Sequence, residues 1–114
     1  MHKLMIFLKR RPGMSHAAFR SYYEEHHVPL CLHYMSGVES YRRHYLAPGP
    51  DREESPCDVI TELIFASSKV RDAVLDALRA DAMPADVIAD EENLFDRSQS
   101  RAFAVDLCET DLVS

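Results

Sequence analysis

The sequence predicts a single α+β domain in which a four-stranded antiparallel sheet carries its helices on one face. Three observations lead there. Two short runs, Leu4–Leu8 and Val59–Phe65, are apolar on both alternating sets of residues, as in strands covered on both sides. Two other segments, Ser15–Met35 and Val70–Leu78, repeat apolar residues every three or four positions, the period of a helix. At 114 residues the chain has room for one hydrophobic core, so residues 1–114 are read as one domain.

Taken in order, Met1–Arg10 is the first strand, and Lys9, Arg10, Arg11, Pro12 and Gly13 make a polar turn after it. Ser15 is placed to cap the first helix. Phe19, Tyr22, Tyr23, His26, His27, Leu30 and Tyr34 gather on one side of that helix, with Arg20, Glu24 and Glu25 on the other. Pro29 has no amide hydrogen for the carbonyl of Glu25 and pushes Val28 toward extended backbone, which predicts a bend or a stop beside the histidine pair. After Gly37, Glu39–Leu46 reads as a second strand with Tyr41 and Tyr45 on one face and Ser40, Arg42 and His44 on the other. Ala47–Pro56 holds three prolines, a glycine and four charges, the composition of an exposed, mobile connection.

The third strand, Val59–Phe65, places one carboxylate, Glu62, inside an apolar run, where it needs a partner. Val70, Ala73, Val74, Ala77 and Leu78 mark the second principal helix. Pro84 suits the first turn of a shorter helix that turns Val87, Ile88, Leu94 and Phe95 inward. Phe103, Val105 and Leu107 alternate with smaller or polar residues in a last strand, and the tail after Glu109 is expected to fray. The resulting order, strand, helix, strand, strand, helix, strand, is the split βαβ pattern of ferredoxin-like domains. Helices cover one face of such a sheet only, so the second apolar face predicts a homodimer with two sheets facing each other.

Nineteen acidic against thirteen basic residues give a net charge of -6, which argues against nucleic acid or an anionic membrane surface as a partner. The first apolar run is too short for a secretory signal or a membrane span, and a cytoplasmic protein is expected. Cys31, Cys57 and Cys108 are odd in number and contain no CxxC pair, so buried, reduced thiols are expected in place of disulfides or a thiolate zinc site.

Against this frame the chain resembles the EthD family of dimeric α+β barrel proteins along nearly its whole length. The resemblance rests on Leu8-Lys9-Arg10-Arg11-Pro12-Gly13-Met14-Ser15 with Phe19, on Tyr23 and His27-Val28-Pro29-Leu30, and on Gly37-Val38 with Tyr41. Asp58, Glu62–Phe65, Asp90, Phe95 and Asp96 extend it. Ala17 and Ala18 depart from the acidic residues frequent in relatives, and His26 doubles the usual single histidine. The resemblance implies the same fold and dimer and a loose oxidoreductase label. Similar barrels include polyketide cyclases, lactone isomerases, quinone-forming monooxygenases and haem-degrading enzymes, and fold does not choose among them.

His27 matches the family's histidine, and its imidazole suits proton exchange with a bound carbonyl or phenol. The plainer alternative is that it caps a carbonyl freed by Pro29. A helix end beside the ring would favour the imidazolium. Tyr23 and Tyr41 are candidates to steady a developing oxyanion, with packing as their alternative role. Glu62 is a candidate to orient or charge the histidine, or simply to form a structural ion pair. His26, and Arg42 with His44, are candidates for holding an acidic group of a substrate, against a solvated face as the ordinary explanation. Asp86 and Asp90, one turn apart, read as a hydrated helix face. Adjacent imidazoles point about 100° apart on a helix and do not readily share one ion. With no haem-ligation motif and no phosphate-cradling glycine loop, no metal and no cofactor are expected.

The expected function is cofactor-free proton transfer, such as cyclisation, isomerisation or dehydration, or an oxidoreductase-type step. The substrate would be an aromatic, polyketide-like or lactone-like small molecule in an apolar cavity between sheet and first helix. The alternatives are a non-catalytic binding protein of the same shape and a cofactor-free monooxygenase.

Overall fold

The computed structural model describes residues 1–47 and 54–113. The elements run β1 (His2–Leu8), α1 (His16–Tyr22), a π-helical turn (Tyr23–His27), α2 (Val28–Leu32), β2 (Val38–Tyr45), β3 (Val59–Phe65), α3 (Ser68–Arg79), α4 (Ala85–Glu92), a 3₁₀ turn (Arg97–Gln99) and β4 (Arg101–Val105). The strands pair antiparallel in the order β2-β3-β1-β4. This is the α+β, ferredoxin-like arrangement the sequence predicts. The two strands apolar on both faces, β1 and β3, are its central pair, each flanked by another strand on both edges.

Strand parity divides the sheet. Leu4, Ile6 and Leu8 of β1 lie beside Leu63, Thr61 and Val59 of β3, and Tyr41, Arg43 and Tyr45 of β2 lie beside the same three residues in that order. These face the helices. Lys3, Met5, Phe7, Arg42, His44, Ile60, Glu62, Ile64, Phe103 and Val105 take the other face by alternation. Two buried clusters fill the helix side. Leu8, Phe19, Tyr23, Val59, Leu94 and Phe95 pack beneath α1 and α4. Leu4, Leu63, Phe65 and Leu75 pack beneath α3.

Both long helical segments start where serine caps them: Ser15 Oγ accepts from the Ala18 amide at 3.1 Å and Ser67 Oγ from the Val70 amide at 3.2 Å. Buried Asp58 ties the start of β3 to the polar turn after β1, accepting the Arg10 amide at 2.8 Å with Lys9 and His16 beside it. Gly37, at φ +85°, reverses the chain between α2 and β2 in the left-handed region that glycine tolerates.

Pro29 does not stop the first helix. The Val28 amide donates to the Tyr23 carbonyl five residues back, and Val28 itself is helical at φ -60°, ψ -52°. One turn widened to π spacing absorbs the missing Pro29 donor, and the chain continues as α2. What keeps it helical is burial: Tyr23 and His27, on one side of that turn, are 1% and 5% exposed, and Phe95 packs edge-on against both rings. Elsewhere the shifts are small. Pro84 is the residue before α4 instead of its first, and β4 ends at Val105, leaving Leu107 exposed. The connection expected over Ala47–Pro56 falls largely on residues 48–53, outside the described residues. From Asp106 to Val113 the chain has no regular structure. Among the described residues no helix is long and apolar enough to cross a membrane.

Candidate functional site

A cavity of about 100 Å³ opens between the two buried clusters, on the helix side of the sheet. The π turn and α2 contribute Tyr23, His27 and Cys31 to its wall, β2 contributes Tyr41, and β3 contributes Thr61 and Leu63. The wall is otherwise almost wholly apolar. The widened turn is held against the sheet by Glu24, whose carboxylate accepts from Arg43 at 2.6 and 3.0 Å and from the Tyr45 hydroxyl at 2.6 Å. Arg43 keeps the Glu24 carboxyl below the usual carboxylate range, so this clamp stays ionised.

His27 is oriented from α4. Its Nδ1 lies 2.8 Å from Asp90 Oδ2, and the Tyr22 hydroxyl donates to the other oxygen, Oδ1, at 2.5 Å. Because an ionised carboxylate only accepts, Nδ1 carries the proton and Nε2 is left with a lone pair. Cys31 Sγ stands 3.4 Å from Nε2. Burial depresses the His27 pKa below its ordinary value and outweighs the opposing pull of Asp90. The ring therefore rests neutral near pH 7, in contrast to the imidazolium expected from a helix end, because the helix does not end there.

The hydroxyls form a chain of their own. Tyr41 OH donates to Tyr23 OH at 3.1 Å, and Tyr23 OH shares a hydrogen with Thr61 Oγ1 at 2.6 Å. Burial pushes the Tyr23 phenol up to about 12 and the Tyr41 phenol higher still, so both are protonated donors at neutral pH. The cavity thus joins a neutral, carboxylate-oriented imidazole to a pair of phenols. A carbonyl compound between them would meet a proton acceptor on one side and oxyanion donors on the other.

Within residues 11–98 the chain matches the family model of the EthD domain. The chain belongs to the EthD family. The matched segment contains the whole His27, Asp90, Tyr23 and Tyr41 arrangement, while β1 and β4 lie outside it. Among solved structures, an EthD-family protein from Bacillus halodurans superposes with a TM-score of 0.62 at 18% identity, covering 95% of this chain and 100% of the other. That likeness carries the EthD fold. Searched against curated proteins, the chain has no match.

Of the residues picked out from the sequence, His27, Tyr23 and Tyr41 meet at this EthD cavity. Glu62 does not. It sits on the opposite face of the sheet, 5% exposed, 3.3 Å from Lys3, 3.6 Å from Arg42 and 3.8 Å from His44. The carboxylate that orients His27 is Asp90, and Glu62 is the centre of a basic cluster, with Arg42 and His44 beside it and away from the cavity. His26 is exposed, its ring tilted against Tyr22 at 4.9 Å. Among the described residues no three His, Cys, Asp or Glu side chains converge as a metal site requires. Asp90, read from the sequence as part of a hydrated helix face, is instead turned onto His27 and the Tyr22 hydroxyl, one of the tyrosine hydroxyls the sequence offers as a donor, while Thr61 and Cys31 were not singled out as site residues. Of these only Cys31 had a local signal, its i+4 spacing from His27.

Proposed function

We propose that this EthD-family protein is a small, cofactor-free enzyme that moves a proton on an aromatic, polyketide-like or lactone-like carbonyl compound held in the cavity. The observation that supports it is the 2.8 Å contact of Asp90 with His27 Nδ1, which leaves Nε2 as a base toward a cavity where Tyr23 and Tyr41 also stand. In this reading Nε2 takes a proton from the carbon beside a carbonyl. The Tyr41 hydroxyl turns from Tyr23 to the enolate oxygen, and the imidazolium, stabilised by Asp90, returns the proton to another position or to a leaving hydroxyl. Cyclisation, isomerisation and dehydration share that first step. The working unit is a homodimer paired through the outer sheet face, where Met5, Phe7, Ile60, Ile64, Phe103 and Val105 lie together. Three unpaired cysteines fit a cytoplasmic setting.

The test is solvent exchange. Incubated in D₂O with a panel of cyclic ketones, aryl ketones and lactones, the protein should accelerate loss of the α-proton signal for at least one member. His27→Phe, shown folded by circular dichroism, should not. Exchange equal in the two proteins, or absent with every member, overturns the proposal. The apolar wall supports a second reading, a binding protein without turnover. Native mass spectrometry showing a retained, unchanged carbonyl compound together with no exchange would establish that one instead.

A further inference from the structure

The group that meets the unprotonated nitrogen of His27 is a thiol. Cys31 follows His27 by four residues, so both side chains leave the same side of the helical segment, and Sγ lies 3.4 Å from Nε2. With Asp90 on Nδ1, carboxylate, imidazole and thiol stand in line, the arrangement in which a base held in one tautomer accepts a proton from a nucleophile. The line ends at a cavity, since Cys31, His27, Tyr23 and Tyr41 share its wall. The other cysteines stand differently. Cys57 is buried at the start of β3 and Cys108 is exposed in the C-terminal tail, and neither has an imidazole hydrogen-bonded to it among the described residues.

We propose that Cys31 is a nucleophile that adds reversibly to a neutral conjugated carbonyl compound, an enone, bound in this cavity, with His27 as its base. The proposal rests on the reading of His27 as a proton carrier and names the ligand class it serves. As sulfur bonds to the carbon β to the carbonyl, the thiol proton passes to Nε2 and the alkene pair moves toward oxygen. The resulting enolate oxygen meets the Tyr41 or Tyr23 hydroxyl, and the imidazolium then returns the proton to the α-carbon. Sulfur and hydrogen have added across the double bond, no group has left, and no outside oxidant or reductant is needed. Reversal releases the ligand intact.

Two features favour conjugate addition over acyl transfer. Attack on an ester or amide puts the oxyanion on the attacked carbon, beside sulfur, and then needs a leaving group and a hydrolytic water. This wall is apolar, and Tyr41 belongs to the sheet while Cys31 belongs to the helices, so the hydroxyl suits an oxygen carried away from sulfur by a conjugated system. Burial, with the carboxylates of Glu91, Asp90 and Asp86, pushes the Cys31 thiol up to about 12, so it is protonated and depends on a neighbouring base.

The experiment incubates the full chain with 2-cyclohexen-1-one, follows the intact mass and maps the modified cysteine. One adduct at Cys31 is expected, absent in Cys31→Ser. Its rate should fall by roughly a hundredfold in His27→Gln, the lower end of what a positioned base supplies, and should also fall in Asp90→Asn. Modification of the exposed Cys108 should stay the same in all of these and serves as the internal control. If His27→Gln does not fold, Asp90→Asn carries the test. Modification of Cys108 or Cys57 with Cys31 untouched, or a Cys31 rate unaffected by these substitutions, overturns the proposal. Solvent exchange without an adduct would remove this proposal alone. An adduct without exchange would support it and remove the proposed proton-transfer function alone.

Discussion

Asp90 reaches His27 from 63 residues further along the chain, placing Oδ2 2.8 Å from Nδ1 while its other oxygen accepts the Tyr22 hydroxyl. That contact decides which imidazole nitrogen faces the cavity, and it holds α4 against the π turn. Asp90→Asn keeps the shape but removes the charge that stabilises an imidazolium. A side-chain amide also no longer requires the proton on Nδ1. We expect a loss of about a hundredfold or more in any proton transfer at this site. Losing a hydrogen bond to a charged group should also cost about 1.5–3 kcal/mol of stability. Exchange rates and urea titration measure the two effects separately.

The phenol pair gives an asymmetric expectation. Tyr23 OH is bonded to both Thr61 and Tyr41, and Thr61 is 3% exposed. Tyr23→Phe therefore leaves a buried hydroxyl unsatisfied, at a cost of about 1–3 kcal/mol. Tyr41 only donates to Tyr23, so Tyr41→Phe should cost less than Tyr23→Phe. Denaturant midpoints of the two variants check the order.

Much of the fold was legible because it is local. Apolar residues on both alternating sets mark β1 and β3 as central strands, and serine at the start of each long helix marks where it begins. The pairing of Glu62 with His27 failed for the same reason those strands were easy to see. When both sets are apolar, parity does not tell which set the helices cover. The helices took Val59, Thr61, Leu63 and Phe65, leaving Glu62 on the far side. Pro29 misled in a different way. Its missing donor is a local fact, whereas burial of Tyr23 and His27 against Phe95 is a tertiary one, and the tertiary term prevailed through a widened turn. Asp90 was visible as part of the EthD resemblance, but its role was not, since its partners are Tyr22 and His27 on another element and its spacing from Asp86 reads as a solvated face.

Two buried groups pull stability in opposite directions with pH. Burial depresses His27, so the folded state binds this proton less readily than the unfolded chain. The stability tied to it is whole above the ordinary histidine value of about 6.5 and is lost as pH falls through the depressed value. Burial lifts the Glu91 carboxyl from 4.5 to about 7, with Arg97 partly opposing. Its folded state binds the proton more tightly, so the stability tied to Glu91 is whole below 4.5 and is lost as pH rises through about 7. Glu91→Gln removes that loss and leaves His27 in place. The stability of the variant minus that of the natural protein should therefore grow as pH rises from about 5 to 7 and then level off. Urea midpoints for both proteins across that range test it, and a difference independent of pH would remove the assignment to Glu91.

The outer face of the sheet makes the last expectation. Phe103 is 47% exposed in the single chain, its ring 6.0 Å from that of Phe7 in an edge-on contact, with Met5 beside it in register. A sheet face of this composition buries its apolar side chains when a second copy lies across it. The natural protein should then run at twice the chain mass in native mass spectrometry. Phe103→Glu replaces an apolar ring at the contact with a carboxylate that must give up water, and should shift the protein toward the single chain. The His27 cavity lies on the other side of the sheet, so the Cys31 adduct should still form in the separated subunit. A natural protein found at the mass of one chain would overturn the pairing and show that the face is borne by water.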